Sequence, residues 1–185
     1  MSTRSYIARQ IGDDQYRSIY CHSDGYLTYN GALLLDHYNS PEKVDELLDL
    51  GDLSLLGEKP NPDPAQPHSF DYSKRQEGVT VAYGRDRGDE DTQAHVKTLA
   101  QLDDPGNWTD YVYLYTQDNE WKYFRAGQSK EGLRDVKEDL DAAYAAYNLS
   151  RPAGYYGFLT DGSAEQIRIE QEAAPESDPL TMKME

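Results

Sequence analysis

The densest cluster of reactive side chains in this chain is Tyr20-Cys21-His22-Ser23-Asp24-Gly25-Tyr26. Cysteine, histidine and aspartate in one short stretch are the parts of a metal site or of a nucleophilic centre. Their spacing argues against both. Neighbouring residues of a strand point to opposite faces, so Cys21 and His22 cannot easily grip one ion. The remaining histidines, His37, His68 and His95, show no ligand spacing relative to this pair. The plainer reading is a strand end and a turn, with Asp24-Gly25 supplying the turn chemistry and His22 bonded to backbone. No metal and no cofactor is expected.

A second candidate is Gly84-Arg85-Asp86-Arg87-Gly88, which sets two arginines in a glycine-flanked loop. Such a loop could clamp a phosphate or a carboxylate. It lacks the Gly-Lys-Ser/Thr and the spaced triple glycine of phosphate loops. Asp86, Asp89, Glu90 and Asp91 stand close enough in sequence to neutralise the arginines, so an internal salt-bridge network is the stronger expectation. Were His22, Asp24, Arg85 and Arg87 to converge, they would form a small-molecule or nucleotide site. Tyr111, Tyr113 and Tyr115 share one face of a strand. Tyrosine is enriched at interfaces, so this row reads equally as core or as a surface for a partner or a second copy.

Charge gives the broadest signal. Asp and Glu number 34 against 18 Lys and Arg, a formal net charge of -16 over 185 residues. Such a field repels nucleic acid and anionic membranes and attracts basic protein surfaces. The carboxylates recur along the chain, and two groups fall on expected helices: Asp45, Glu46, Asp49 and Asp52, and Asp135, Glu138, Asp139 and Asp141. Carboxylates projecting from ordered elements can imitate duplex DNA, which carries one charge per about 1.7 Å. A merely solvated or salt-adapted surface is the bland alternative.

The elements that must position these residues are short. Ser5 to Ile11 and Tyr16 to His22 predict a hairpin, and Tyr111 to Tyr115 with Trp121 to Arg125 predict another. Leu33, Leu34 and Tyr38 have helical spacing. Ser40, Pro41 and Glu42 start a helix whose stripe is Val44, Leu47 and Leu48. Asp52 to Gly57 reads as a further helical turn, Gly78 to Tyr83 as a strand and Thr92 to Leu102 as a modest helix. Leu133, Val136, Leu140, Tyr144 and Tyr147 form one face of a last helix, with Arg134–Glu138 and Lys137–Asp141 pairs opposite. Residues 59–77, rich in proline, are expected to be a long surface loop. Strands are expected over 155–159 and 166–169, and a polar tail over 171–185. The sum is a single α+β domain over 1–170, an antiparallel sheet built from hairpins with helices packed on one face.

The stretches Thr3-Arg4-Ser5-Tyr6-Ile7, Ile19 to Tyr26, Leu33-Leu34 with Tyr38, and Val44 with Leu47 to Gly57 resemble a family of small uncharacterised proteins encoded by bacteriophages, prophages and mobile elements. Members typically show His-Trp-Asp-Gly-Tyr where this chain has His22-Ser23-Asp24-Gly25-Tyr26. Many also carry a Tyr-x-Arg-Asp-Arg-Gly-like stretch similar to Tyr83 to Gly88. The resemblance implies a viral or mobile-element setting and no named activity. With the lone Cys21, no signal-peptide core and no membrane-length apolar run, a cytoplasmic location is expected. The resulting expectation is a non-enzymatic, phage-type accessory protein that docks the basic surface of a host protein, such as a restriction or CRISPR effector, and binds no nucleic acid or membrane itself.

Overall fold

The computed structural model describes residues 2–145 of the chain. Strands β1 (Ser5–Gly12) and β2 (Gln15–Cys21) form the first expected hairpin, closed by Asp13 and Asp14. A wide helical turn over Leu27–Gly31 leads into α1 (Ala32–His37). The next helix, α2 (Pro41–Leu48), starts as its sequence dictates: Pro41 occupies the first turn and the Ser40 hydroxyl accepts the Lys43 N–H. There follow β3 (Leu53–Leu55), β4 (Val81–Ala82), α3 (Tyr83–Arg87), β5 (His95–Lys97) and α4 (Leu99–Leu102). The second hairpin, β6 (Tyr111–Tyr115) with β7 (Trp121–Arg125), precedes β8 (Arg134–Asp135) and α5 (Val136–Ala145). The strands predicted over 155–159 and 166–169, Tyr147 and the tail lie outside the described residues.

All eight strands join one sheet in the order β4-β3-β2-β1-β6-β7-β8, with β5 added to β2. The fold is α+β, but the sheet is mixed rather than wholly antiparallel. The two hairpins abut through a parallel β1–β6 pairing, and β3 meets β2 in parallel at Cys21↔Leu53. Side-chain alternation is the same for either direction, so pattern alone could not distinguish them. Other segments depart from expectation for similar reasons. Leu53 and Leu55 flank Ser54 in a strand, where a helical turn was expected. The segment 92–102 divides into β5 and α4, the break falling at Thr98, whose side chain makes a capping box with Gln101. The last helix begins three residues later than expected, because Arg134 and Asp135 pair with β7 and Leu133 lies exposed.

The main core lies between one sheet face and three helices. Ile7, Ile19, Cys21, Tyr111, Tyr113, Tyr115, Trp121 and Tyr123 point from the strands onto Leu33 and Leu34 of α1, Val44, Leu47 and Leu48 of α2, and Val136, Leu140 and Tyr144 of α5. The opposite face carries a smaller cluster, Ala8, Tyr16, Val112, Leu114 and Phe124, capped by Leu102 of α4. Both faces of β6 are therefore covered, and all five of its residues are buried.

Several polar tips of this tyrosine-rich core reach backbone carbonyls. Tyr113 donates to the Gly25 carbonyl at 2.7 Å, Tyr38 donates to the Gly57 carbonyl at 2.7 Å, and the Trp121 indole donates to the Tyr38 carbonyl at 2.8 Å. Burial pushes the Tyr113 hydroxyl well above its ordinary value, with the neighbouring rings of Tyr111 and Tyr123 adding to it, so it stays a donor. Removing one such hydroxyl leaves a buried carbonyl without its partner. Tyr113→Phe and Tyr38→Phe are each expected to cost about 1–3 kcal/mol in denaturant unfolding. A loss below about 0.3 kcal/mol for both would refute that role for the hydroxyls.

Candidate functional site

The Cys21–Asp24 cluster is taken apart by the strand it sits on. Cys21 points into the main core and is fully buried; its Sγ accepts from the Asn30 amide at 3.5 Å. Burial pushes its thiol up to about 11, which leaves it protonated and unreactive at neutral pH. His22 points the other way, and its Nδ1 meets the Tyr20 hydroxyl at 2.8 Å rather than a backbone group. Asp24 takes a left-handed conformation at φ 55°, and Gly25 follows where a Cβ would stand 2.9 Å from the Thr3 carbonyl oxygen. The Gly25 N–H donates to that same carbonyl. Asp24-Gly25 thus closes a tight turn against the start of β1, directly over the Tyr113 hydroxyl. Among the described residues no group of three or more His, Cys, Asp or Glu side chains could hold a metal ion.

Arg85 and Arg87 do not join this cluster. The segment predicted as a loop is the short helix α3, ended by Gly88 in the left-handed region. Arg85 has five N–H donors and all are engaged within the chain. Its Nε and one Nη grip the two Asp86 oxygens at 2.9 Å each, and that Nη also reaches the Thr80 carbonyl at 2.8 Å. The other Nη donates to the Pro60 carbonyl at 2.7 Å and to the Asn61 side chain at 3.1 Å. No donor is left for a phosphate. Asp86 in turn accepts the Ala82 N–H at 2.8 Å, and the His68 Nε2 lies 3.7 Å away. Burial would raise the Asp86 carboxyl, but its bonds to Arg85 and Ala82 outweigh burial and hold it below the ordinary range. Arg87 lies over the rings of Tyr83 and Phe70, at 5.0 and 5.6 Å from their centroids. This internal network pins the proline-rich loop, which Gln76 closes by accepting from Asp63 N–H and donating to the Asp63 and Gln66 carbonyls. Only Asp86 of the expected acidic group neutralises an arginine here.

The helix carboxylates also turn inward. Asp45 pairs with Arg9 and Arg17, and Asp49 pairs with Arg17, so α2 is fastened to the first hairpin. Asp135 pairs with Lys122, Asp139 with Arg134 and with the Tyr123 hydroxyl, and Asp141 with Lys137. Glu46 accepts from Asn61 at 2.7 Å and Asp52 accepts the Tyr20 N–H at 2.9 Å. Burial raises the Asp52 carboxyl despite that bond. Glu138 alone of the eight is exposed with no side-chain partner among the described residues. A row of unpaired charge along α2 and α5, the arrangement that would imitate a phosphate backbone, is therefore not what these helices present. The tyrosine row is also corrected: Tyr111, Tyr113 and Tyr115 are 3%, 0% and 1% exposed, because α1, α2 and α5 cover that face, and they offer no ring to a partner or a second copy.

Two other surfaces take their place, the first of them named in sequence only as a source of charge to neutralise the arginines. One is the exposed run Asp89-Glu90-Asp91 after α3, whose side chains make no ion pair among the described residues. Its backbone is held at both ends: the Asp89 N–H donates to the Tyr83 carbonyl at 3.1 Å and the Asp52 N–H to the Thr92 carbonyl at 2.7 Å. The other lies on the second sheet face. Tyr6 and Tyr20 meet edge to face at 6.3 Å, Tyr20 meets His22, and the Lys97 ammonium sits 4.6 Å from the Tyr6 ring centroid while donating to its hydroxyl at 3.1 Å. The alternation of β1 and β2 could have shown the pairing of Tyr6 with Tyr20; the arrival of Lys97 from β5 could not be read. An open groove of about 360 Å3 between the β1 end and the β6–β7 turn, lined by Arg9, Gln10, Ile11, Thr116, Gln117 and Asn119, contains none of the predicted site residues. No helix among the described residues is long and apolar enough to cross a membrane.

Comparison of the chain with protein-family models, with curated proteins and with solved structures gives no match.

The Arg85 network has a pH signature. A carboxyl held low in the fold contributes stability above its unfolded value, near pH 4, and loses it as pH falls through the folded value. Arg85→Met leaves Asp86 buried without its cation and is expected to cost about 2–3 kcal/mol at pH 7. The difference from the unsubstituted protein shrinks as pH falls below about 4 toward the lower folded value, where Asp86 takes up its proton. A cost that is the same at pH 7 and pH 3 in urea unfolding would show that the pair does not act as described.

Proposed function

We propose that this chain is a non-enzymatic docking protein that lays an acidic surface on the basic surface of another protein. The single observation that supports this best is the anchored, exposed Asp89-Glu90-Asp91 run, which carries charge uncompensated by any cation among the described residues. A negative field of this size steers a basic partner into contact and excludes nucleic acid from the same place. The partner class that suits this field is a protein whose basic groove ordinarily holds nucleic acid. With the phage and mobile-element resemblance, a host restriction or CRISPR effector fits that description. On this reading the docking charges lie in loops, since Asp45, Asp49, Asp135, Asp139 and Asp141 are tied to Arg9, Arg17, Lys122, Arg134 and Lys137.

Binding to such an effector is expected to weaken markedly between low and high ionic strength, and added duplex DNA is expected to compete. Replacing the run by Asp89→Asn, Glu90→Gln and Asp91→Asn is expected to slow association by roughly tenfold, with less effect on dissociation. Binding by surface plasmon resonance that is indifferent to salt and to DNA would overturn the reading.

A second reading is supported by the Tyr6–Tyr20–His22–Lys97 face. Aromatic rings beside a cation are what a nucleotide or another flat anion needs, a ring to stack on and a charge to meet. It keeps His22 from the expected small-ligand site and replaces Arg85 and Arg87 with Lys97. On this reading ATP binds in the millimolar range or tighter and Lys97→Ala weakens it several-fold in equilibrium dialysis; no saturable binding of ATP would dismiss it.

A further inference from the structure

Trp108 is a large exposed side chain for which the core offers no explanation. Its side chain is 76% exposed, while the chain's other tryptophan, Trp121, is 4% exposed in the core. Its backbone lies in the left-handed region at φ 58° and ψ 30°. For a bulky side chain that conformation is strained, and glycine or asparagine would hold it more easily. The strain is not relieved by a loose loop. On one side Asp104 caps the turn Pro105–Asn107 by accepting the Gly106 N–H at 2.8 Å, and the Asn107 amide closes the end of α4 on the Gln101 carbonyl at 2.7 Å. On the other side Thr109 is buried, and Asp110 exchanges bonds with Arg4, its N–H donating at 2.8 Å and its carboxylate accepting at 2.9 Å. The chain thus fixes both neighbours and turns the indole out between them.

Asp103, Asp104 and Asp110 flank Trp108 in sequence, and the backbone of Arg4 joins the same segment. Asp103, Asp104 and Asp110 take their hydrogen bonds from backbone N–H groups and from the Ser129 hydroxyl, and make no ion pair among the described residues. A carboxylate bonded in this way keeps its full negative charge. An indole face attracts a cation through its quadrupole, and flanking carboxylates add to that attraction. Tryptophan is also the residue most enriched among the few that carry the energy of protein interfaces.

We propose that Trp108 is the anchor of the docking surface, and that its indole receives an arginine or lysine side chain of a basic protein partner. The proposal rests on the acidic-docking reading given above and names a side chain that would anchor the partner. The strained backbone is then the cost of presenting the ring, and binding and folding place opposite demands on this position.

That opposition supplies the test. The probe is an oligo-arginine peptide, titrated into the full-length protein at low salt by calorimetry. Trp108→Gly is expected to weaken binding at least tenfold while the thermal midpoint stays level or rises, because glycine suits the left-handed backbone. Trp108→Tyr, which keeps a ring, is expected to bind between the two. A Trp108→Gly protein that binds as tightly as the unsubstituted one, while the Asp89→Asn, Glu90→Gln, Asp91→Asn variant loses binding, overturns the anchor and leaves the docking reading standing. A clear fall in the Trp108→Gly midpoint overturns it too, since the ring would then be structural. Failure of the unsubstituted protein to bind the peptide removes both.

Discussion

The connecting loops depend on buried tyrosine and tryptophan donors that reach backbone carbonyls inside a packed core. An aliphatic core can be filled in many ways, because its side chains have no polar tip to place. Tyr38, Tyr113 and Trp121 allow far fewer arrangements. Each reaches through the core to a backbone carbonyl of a connecting segment, at Gly57, Gly25 and Tyr38. The loops are therefore fixed from beneath by the sheet and helices, and the turn at Asp24-Gly25 has its place because Tyr113 needs that carbonyl. Glycine at 25 follows from the same contact, since the chain there passes too close to Thr3 for a side chain.

The charged residues divide by the same logic. Where a carboxylate faces a neighbouring element it is paired and acts as a tie: Asp45 and Asp49 hold α2 to the first hairpin, Asp139 and Asp135 hold α5 and β8 to β7. Exposed pairs of this kind each add less than about 1 kcal/mol, so their main effect is on register and on the field they cancel. Arg85 is the exception in degree, since five engaged donors join α3, β4 and the proline-rich loop. Outside these ties stand the acidic loop at 89–91 and the aspartates around Trp108, and with them Glu46, Asp52 and Glu138, which meet no cation among the described residues. Much of the uncompensated charge thus lies in loops, while Asp45, Asp139 and Asp141 on the helices are cancelled by their cations.

Residues of reactive type have become structural ones by direction alone. Cys21 and His22 are adjacent, yet one enters a core that suppresses its ionisation and the other lies on the opposite sheet face beside Tyr20. In place of the alternative site that would join His22 to Arg85, His22 has Tyr20 beside it, with Tyr6 and Lys97 next to that ring, while the Arg85 donors bond Asp86, Thr80, Pro60 and Asn61. The residue identities were visible in the chain, but the wider neighbourhood, Tyr6 from β1 and Lys97 from β5, came from strands distant in sequence.

The chain by itself determined both hairpins, the start of α2, the turn at Asp24-Gly25 and the size of the negative charge. These are local matters: alternation, capping, glycine and aspartate conformations, and counting. It also favoured an internal network for the arginines at 85 and 87, which Arg85 forms. Tertiary structure alone decided that the hairpins meet in parallel, that β3, β5 and β8 are strands, and that the tyrosine row is core. It decided as well which carboxylates are neutralised and that Trp108 faces outward. Direction of pairing, burial and ion pairing depend on what lies across the gap between elements, and a pattern read along one strand or helix is silent about its neighbour across that gap.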